Sequence, residues 1–448
     1  MHCIDRFRSE VKRHLSGSRV FDWPEEIPSH VVEEWRLEFA PKTRHRVWTI
    51  ELMLWFWVVA GLHRERSFKA VTTEVWAPLC AQDGRLADLR INDGRMAEGR
   101  ARVPGAMIRR VREHFAKAGV EEGEPYGLWR GHRLVWTDGS TVSLADTPEL
   151  QEHFGCWRNQ HGPGAFPLAR LLIWGVAGTR IVIGCAYGPS SLSEKELFLR
   201  SVDCVHGGDL VVMDRYFAVA ELFVRIRRRG GDALTRLHSQ FKLSKHEPVR
   251  IRPHEWIVTL PLDPRSTRRD DTLPESVQVR VVKVTTSTGR VYWLMTTLLD
   301  PREYPAEQLL EVYLQRWGVE TTYGELKTDL HLAVARSETV EGVYKEIEAH
   351  LAAYTYVRLL MVRAALKARV EPTRLSLRST VRLLLTFTQM SRAASPSAIP
   401  DLWDHLLRQI GACVNPIRPG RREPRGLKRR TAYPRWKGSR KEWRMTNA

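Results

Sequence analysis

Tyr313, Arg316, Glu320 and Lys327 follow one another at steps of three, four and seven residues in the segment YLQRWGVETTYGELK. At about 100° per residue, a helix gathers all four side chains within roughly 60° of its circumference. A phenol, a guanidinium and an ammonium donate to phosphate oxygens, and a carboxylate is a hard ligand for a divalent metal. Such a set suits phosphodiester cleavage. Ordinary ion pairs on a solvated helix use the same spacing, so the segment alone leaves both readings open. Glu325 falls about 140° from Glu320 on such a helix and is a poor rival for a metal.

Two more acids stand where strands are expected to end. Asp138 follows the run LVWT, and Asp214 follows LVVM. If the two strands are neighbours, both side chains emerge at one sheet edge, where open α/β sheets commonly place their active crevice. With Glu320 from a helix packed beside that edge, three carboxylates converge. Two Mg²⁺ ions about 3.5–4 Å apart can activate a water or a 3′-hydroxyl and stabilise the leaving oxygen. Without metal the acids repel one another and some hold protons. An aspartate after a strand also makes turns or caps helices, which leaves either one open when taken alone.

The elements that must position these groups are visible as patterns. Residues 1–120 read as a helical N-terminal DNA-binding domain, with helices expected at 47–62, 67–76, 92–99 and 106–118. Arg100, Arg102, Arg109, Arg110 and Arg112 make the last of these a DNA-facing surface or a solvated face. Residues 121–335 read as the catalytic domain. Strands at 133–137, 170–175 and 180–186 precede a helix at 193–205, a strand at 209–213, a helix at 217–229 and a strand at 233–237. Hairpins followed by strand–helix alternation predict a mixed α/β sheet with helices on both faces. A β-rich insertion at about 239–290 interrupts the rhythm, and residues 291–297 return as a core strand. Residues 336–415 form a helical C-terminal region, with an apolar stripe at Val343, Ile347, Leu351, Tyr354 and Leu359. The basic tail 416–448 carries Tyr433, Trp436 and Trp443 among its Arg and Lys residues, which suits phosphate contact and base stacking, or solubility alone.

The 448-residue chain has a net charge of +18 and a pI near 9.9, which points to a polyanionic partner, nucleic acid first and an anionic membrane surface second. Its most apolar run, residues 47–62, is shorter than a bilayer span and contains Glu51, so a buried helix is expected there. No leader peptide is visible. Six scattered cysteines without a CxxC pair indicate neither a disulfide framework nor a zinc site, and a reducing cytoplasmic setting fits.

Together these blocks resemble a DDE transposase of the bacterial insertion-sequence family with a Tyr-x2-Arg-x3-Glu-x6-Lys signature, the YREK group. Tyr313, Arg316, Glu320 and Lys327 meet the signature in full. Asp138-Gly139-Ser140-Thr141 with Asp146-Thr147 and Phe154-Gly155 resembles the first block, and Gly208 to Asp214-Arg215-x-Phe217 the second. Residues 346–358 resemble the downstream helix, so the likeness covers roughly residues 90–365. The resemblance implies a ribonuclease-H-like α/β core with a β-rich insertion, flanked by helical regions. It implies Asp138, Asp214 and Glu320 as ligands of Mg²⁺, with Mn²⁺ as a substitute. Tyr313, Arg316, Lys327 and Arg215 would face DNA phosphates. Some members form a DNA hairpin and stack a flipped base on a tryptophan just after the insertion, a place similar to that of Trp293; a core role for Trp293 stands beside it. The implied partners are double-stranded DNA, as transposon ends and target, and a second copy of the chain in a synaptic complex, in the cytoplasm at the nucleoid and not at a membrane. A DNA endonuclease without strand transfer and a domesticated, non-catalytic DNA-binding protein are the alternatives.

Overall fold

Residues Leu134–Thr137 are buried without the alternation of a half-exposed strand, as expected where helices cover both faces of a sheet. The computed structural model describes residues 27–42, 49–63, 67–73, 93–159, 162–238 and 240–416. The basic segment 418–444, with Tyr433, Trp436 and Trp443, lies outside them. The run belongs to β2 (His132–Ser143), which a short β1 (Leu128–Trp129) enters by a hairpin. β2 pairs antiparallel with β4 (Gly162–Val176), and β4 pairs antiparallel with β5 (Val182–Pro189) and, at its other end, with β3 (Cys156–Asn159).

The chain then crosses over. β6 (Asp209–Met213) lies parallel to β2, and β7 (Asp232–Arg236) lies parallel to β6. A parallel neighbour needs a helical crossover. Helix α6 (Glu194–Ser201) precedes β6, and α7 (Ala220–Arg228) joins β6 to β7. Three antiparallel strands followed by two parallel ones form the ribonuclease-H-like α/β core. The insertion supplies β8 (Val249–Arg252), β9 (Glu255–Pro261) and β10 (Ser276–Thr285). It does not stand apart: β11 (Val291–Thr296) pairs with β10 on one side and with β7 on the other, so the insertion extends the core sheet.

The helices before and after this core pack in the same compact unit, Met1–Val414. They include α1 (Ser29–Phe39), α2 (Ile50–Leu62), α3 (Asp93–Ala101), α4 (Gly105–Glu122), α5 (Pro148–Phe154) and, after the site helices, α11 (Val340–Ala368), α12 (Leu377–Ala393) and α13 (Ile399–Ala412). In α2 the residues from Leu52 to Leu62 are all buried, so this apolar run is a core helix; among the described residues no helix is long and apolar enough to cross a membrane. Its Gly61 meets α11 so closely that an added Cβ would lie 2.7 Å from the Ala349 carbonyl oxygen.

Ion pairs tie α11 to its neighbours. Arg112 of α4 is 3 % exposed and its Nε lies 3.0 Å from Glu348 Oε2. Arg109 Nε and the Tyr187 hydroxyl of β5 reach the other carboxylate oxygen, at 3.2 and 3.0 Å. Arg100 packs its guanidinium over Phe68 at 4.0 Å. The basic helix is therefore not a free DNA-facing row: Arg112 is structural, while Arg110 remains exposed beside Glu38 and Glu113. Burial of α4 against α11 decides this, and it is not visible in residue types. Glu348→Ala leaves the Arg112 guanidinium buried and unpaired, and should lower unfolding stability by about 3–5 kcal/mol. Urea denaturation checks this, and a loss of about 0.5 kcal/mol or less would contradict the assignment.

Candidate active site

The parallel pairing of β2 with β6 ends at Thr137↔Met213. Asp138 and Asp214 are the next residue on each strand. At that point β6 turns away into a 3-10 turn, Arg215–Phe217, while β2 does not end as expected from its sequence. β2 runs on to Ser143 against β4, with Asp138 opposite Ile173. The aspartate emerges because its neighbour leaves, not because its own strand stops. The Asp214 backbone carbonyl is pinned by the buried Thr235 hydroxyl of β7 at 3.0 Å and the Phe217 amide at 3.0 Å.

The signature segment is not one uniform α-helix. α8 (Pro264–Arg269) belongs to the insertion; the segment itself begins in α9 (Ala306–Leu314), continues in α10 (Trp317–Gly324) and ends in a π-helical turn, Glu325–Asp329. Tyr313 closes α9, Arg316 caps α10, Glu320 lies in the first turn of α10, and Lys327 lies in the π-helical turn. Such turns shift the angular register, so the single α-helical face drawn from spacing does not hold across the whole segment. Tyr323 fastens α10 to β2. Its buried hydroxyl donates to the Asp138 carbonyl oxygen at 2.8 Å.

Arg316 stands among the acids. It is 8 % exposed, with Nη1 3.6 Å from Asp138 Oδ2 and Nη2 3.3 Å from Glu320 Oε1. Burial works to lower its pKa, but Tyr313, Asp214 and Asp138 outweigh it and hold the guanidinium above its ordinary value. Burial also pushes the Asp138 carboxyl up to about 6, against the Gly139 amide and Arg316, with Glu194 and Asp214 adding repulsion. Glu325 is engaged elsewhere: Arg358, Arg180 and the Tyr354 hydroxyl hold it in the interior.

The remaining expected residues divide. Tyr313 is 5 % exposed and lies behind Arg316, which it supports. Arg215 is exposed directly after Asp214, and Lys327 is half-buried and engaged with its surroundings. Trp293 stacks on Trp256 at 5.7 Å, with Lys283 Nζ 5.6 Å from its ring, so its described ring neighbours belong to the insertion. Two aromatics not singled out beforehand are exposed next to site residues: Trp317 after Arg316, at 55 %, and Tyr216 after Arg215, at 53 %. Exposure of a large aromatic is not legible from residue type. A further carboxylate, Glu194, also reaches the site.

As for metal, the donor set is all hard oxygen, mutually repelling and partly bridged by a guanidinium, which fits a divalent cation of the Mg²⁺ class. Among the described residues, however, no three His, Cys, Asp or Glu side chains are already grouped closely enough to hold a metal.

The family description "Transposase DDE domain" matches residues 129–356, which contain all of these acids. The chain is 24 % identical over 399 residues to the transposase InsG for insertion sequence element IS4 of Escherichia coli strain K12, covering 87 % of this chain and 88 % of that relative. A solved piggyBac transposase synaptic complex with hairpin DNA is similar over 88 % of this chain and 84 % of that one, at 12 % identity. Its TM-score of 0.40 is too low to carry an argument.

The Asp138 carboxyl holds its proton more tightly folded than unfolded, so ionising it costs stability. The cost is absent below the ordinary value of 3.8 and complete above about 6. Asp138→Asn should therefore melt higher than the parent near pH 8 in EDTA, and the difference should shrink as pH falls toward about 4. A lower melting temperature for the variant near pH 8 would contradict the electrostatic account.

Proposed function

The chain belongs to the transposase DDE-domain family, and from that premise we propose that it cleaves and joins phosphodiester bonds at the terminal inverted repeats of an insertion sequence. The observation that carries this reading is the meeting of Asp138 and Glu320, with Asp214 beside them, on one guanidinium within the matched segment. Asp138, Asp214 and Glu320 would hold Mg²⁺, for which Mn²⁺ substitutes. When bound, the metal activates a water or a 3′-hydroxyl and stabilises the leaving oxygen.

The chain's own residues have separate tasks. Tyr323 and Thr235 fix the backbone at Asp138 and Asp214, so the acids need little reorganisation. Arg316, freed from the carboxylates when a divalent cation takes over their charge, donates to a DNA phosphate. Arg215 and Lys327 extend that contact, and Tyr313 orients Arg316 from behind. Exposed Trp317 offers a face on which an unpaired base can stack. The reading includes a homodimer holding two transposon ends, and a location at the nucleoid. Helical residues 1–120, helical residues 336–415 and the basic tail 416–448 would flank the catalytic residues 121–335 and grip DNA away from the cut. A net charge of +18 supports strong, salt-sensitive binding to the duplex.

Asp138→Ala, Asp214→Ala and Glu320→Ala should each abolish end cleavage in Mg²⁺ while leaving binding to the end duplex largely intact. Cleavage by the Glu320→Ala protein at the parent rate would sink the assignment. With pre-cleaved ends and a target plasmid, joined products are expected; cut-only products would instead favour an endonuclease. Lys327→Ala should lower the salt slope of DNA binding by about one counterion. An unchanged slope would place Lys327 away from phosphate.

A further inference from the structure

The first-block glycine has a use that its sequence neighbours do not reveal. A Cβ built on Gly139 would lie 2.3 Å from the Glu194 carboxyl carbon and 2.5 Å from its Oε1. Any other residue after Asp138 would collide with that carboxylate. Glu194 is the first residue of α6, a position where acids commonly face solvent and complement the helix dipole. Here the capping is done by others: Ser193 and Glu196 form a reciprocal capping box. Glu194 instead turns inward, half-buried, against the residue next to Asp138.

It makes no hydrogen bond or ion pair with any described residue, and the cation whose field it feels is Arg170. Its charge acts on Asp138, and that of Asp214 acts on it. Four carboxylates, those of Asp138, Asp214, Glu320 and Glu194, thus surround a region where Arg316 pairs with only Asp138 and Glu320. Like charges in a half-buried site cost stability unless a cation offsets them. A carboxylate admitted by a missing side chain, with no protein partner of its own, has hard oxygen lone pairs to give.

We propose that Glu194 is a fourth carboxylate of the cleavage site, placed beside Asp138 to share in holding a divalent cation, directly or through its bound water. The proposal rests on the reading of Asp138, Asp214 and Glu320 as the metal acids. It gives α6, the crossover into β6, a task in the site besides completing the fold.

The test uses the full-length protein with Mn²⁺ alone, its binding followed by electron paramagnetic resonance, and melting recorded separately in EDTA. Glu194→Gln should weaken Mn²⁺ binding by about 10–100-fold, the range for residues that support a metal centre. Its melting temperature in EDTA should equal or exceed the parent's, because a repelling charge is gone. Asp138→Asn and Glu320→Gln serve as controls and should weaken binding too. If the controls bind Mn²⁺ as the parent does, the reading of the three acids fails. If the controls weaken binding and Glu194→Gln keeps the parent affinity, the three acids stand and the role of Glu194 is overturned. A lower melting temperature with unchanged affinity would make Glu194 structural. Should Glu194→Gln fail to fold, Glu194→Asp keeps the charge but withdraws it by one methylene; parent-like affinity in that variant also overturns the proposal.

Discussion

Repulsion among carboxylates is the constraint that the rest of the site answers. Asp138, Asp214 and Glu320 come from β2, β6 and α10, and their charges would push these elements apart if nothing intervened. Arg316 intervenes, reaching Asp138 at 3.6 Å and Glu320 at 3.3 Å from a nearly buried position. Its place depends on the break between α9 and α10, which makes it a cap residue at the start of the helix that carries Glu320. One cation cannot silence every acid, and Asp138 still has its carboxyl pushed up to about 6, chiefly by burial. The site holds unspent negative charge, as a protein must if a divalent cation is to bind there.

Rigidity behind the acids comes from hydrogen bonds to their backbones rather than to their side chains. Tyr323 holds the Asp138 carbonyl and Thr235 holds that of Asp214. The carboxylate oxygens are thereby left for ligands. The opposite arrangement surrounds Glu325, whose side chain is consumed by Arg358, Arg180 and Tyr354. Two glutamates five residues apart thus do different work: Glu320, 43 % exposed at the side chain, faces the site, and Glu325 fastens the π-helical turn to α11.

The same economy runs through the basic residues. A chain of charge +18 invites the reading that each arginine faces DNA. Arg112, Arg280 and Arg358 instead lie buried with Glu348, Glu255 and Glu325 as partners. Removing one partner of such a pair is far costlier than removing an exposed charge, because the other is left unsolvated. The insertion shows a parallel economy of backbone: β11 caps what would be a free edge at β7, and the sheet continues into β10, β9 and β8 rather than exposing unpaired amides.

Residue order by itself determined the family, the core elements and the three acids, because local patterns carry that information. Apolar runs ending in Asp138 and Asp214 located two strands, and the spacing of Tyr313, Arg316, Glu320 and Lys327 singled out the helical segment. Angular spacing also separated Glu325 from Glu320. Tertiary structure alone decided the rest. Asp138 is exposed by the departure of β6, a property of a neighbouring strand. The helical breaks that lodge Arg316 among the acids and move Lys327 into a π-helical turn depend on packing against β2 and α11. Tyr313 reads as a DNA contact by type yet is buried behind Arg316, and Trp293 stacks on the insertion's Trp256. Glu194 lies 56 positions from Asp138, and only the fold brings its carboxylate into the space that Gly139 leaves. Spacing fixes which residues share a short helix or strand; long-range register and burial fix which of them meet, and charge pairing follows from that meeting.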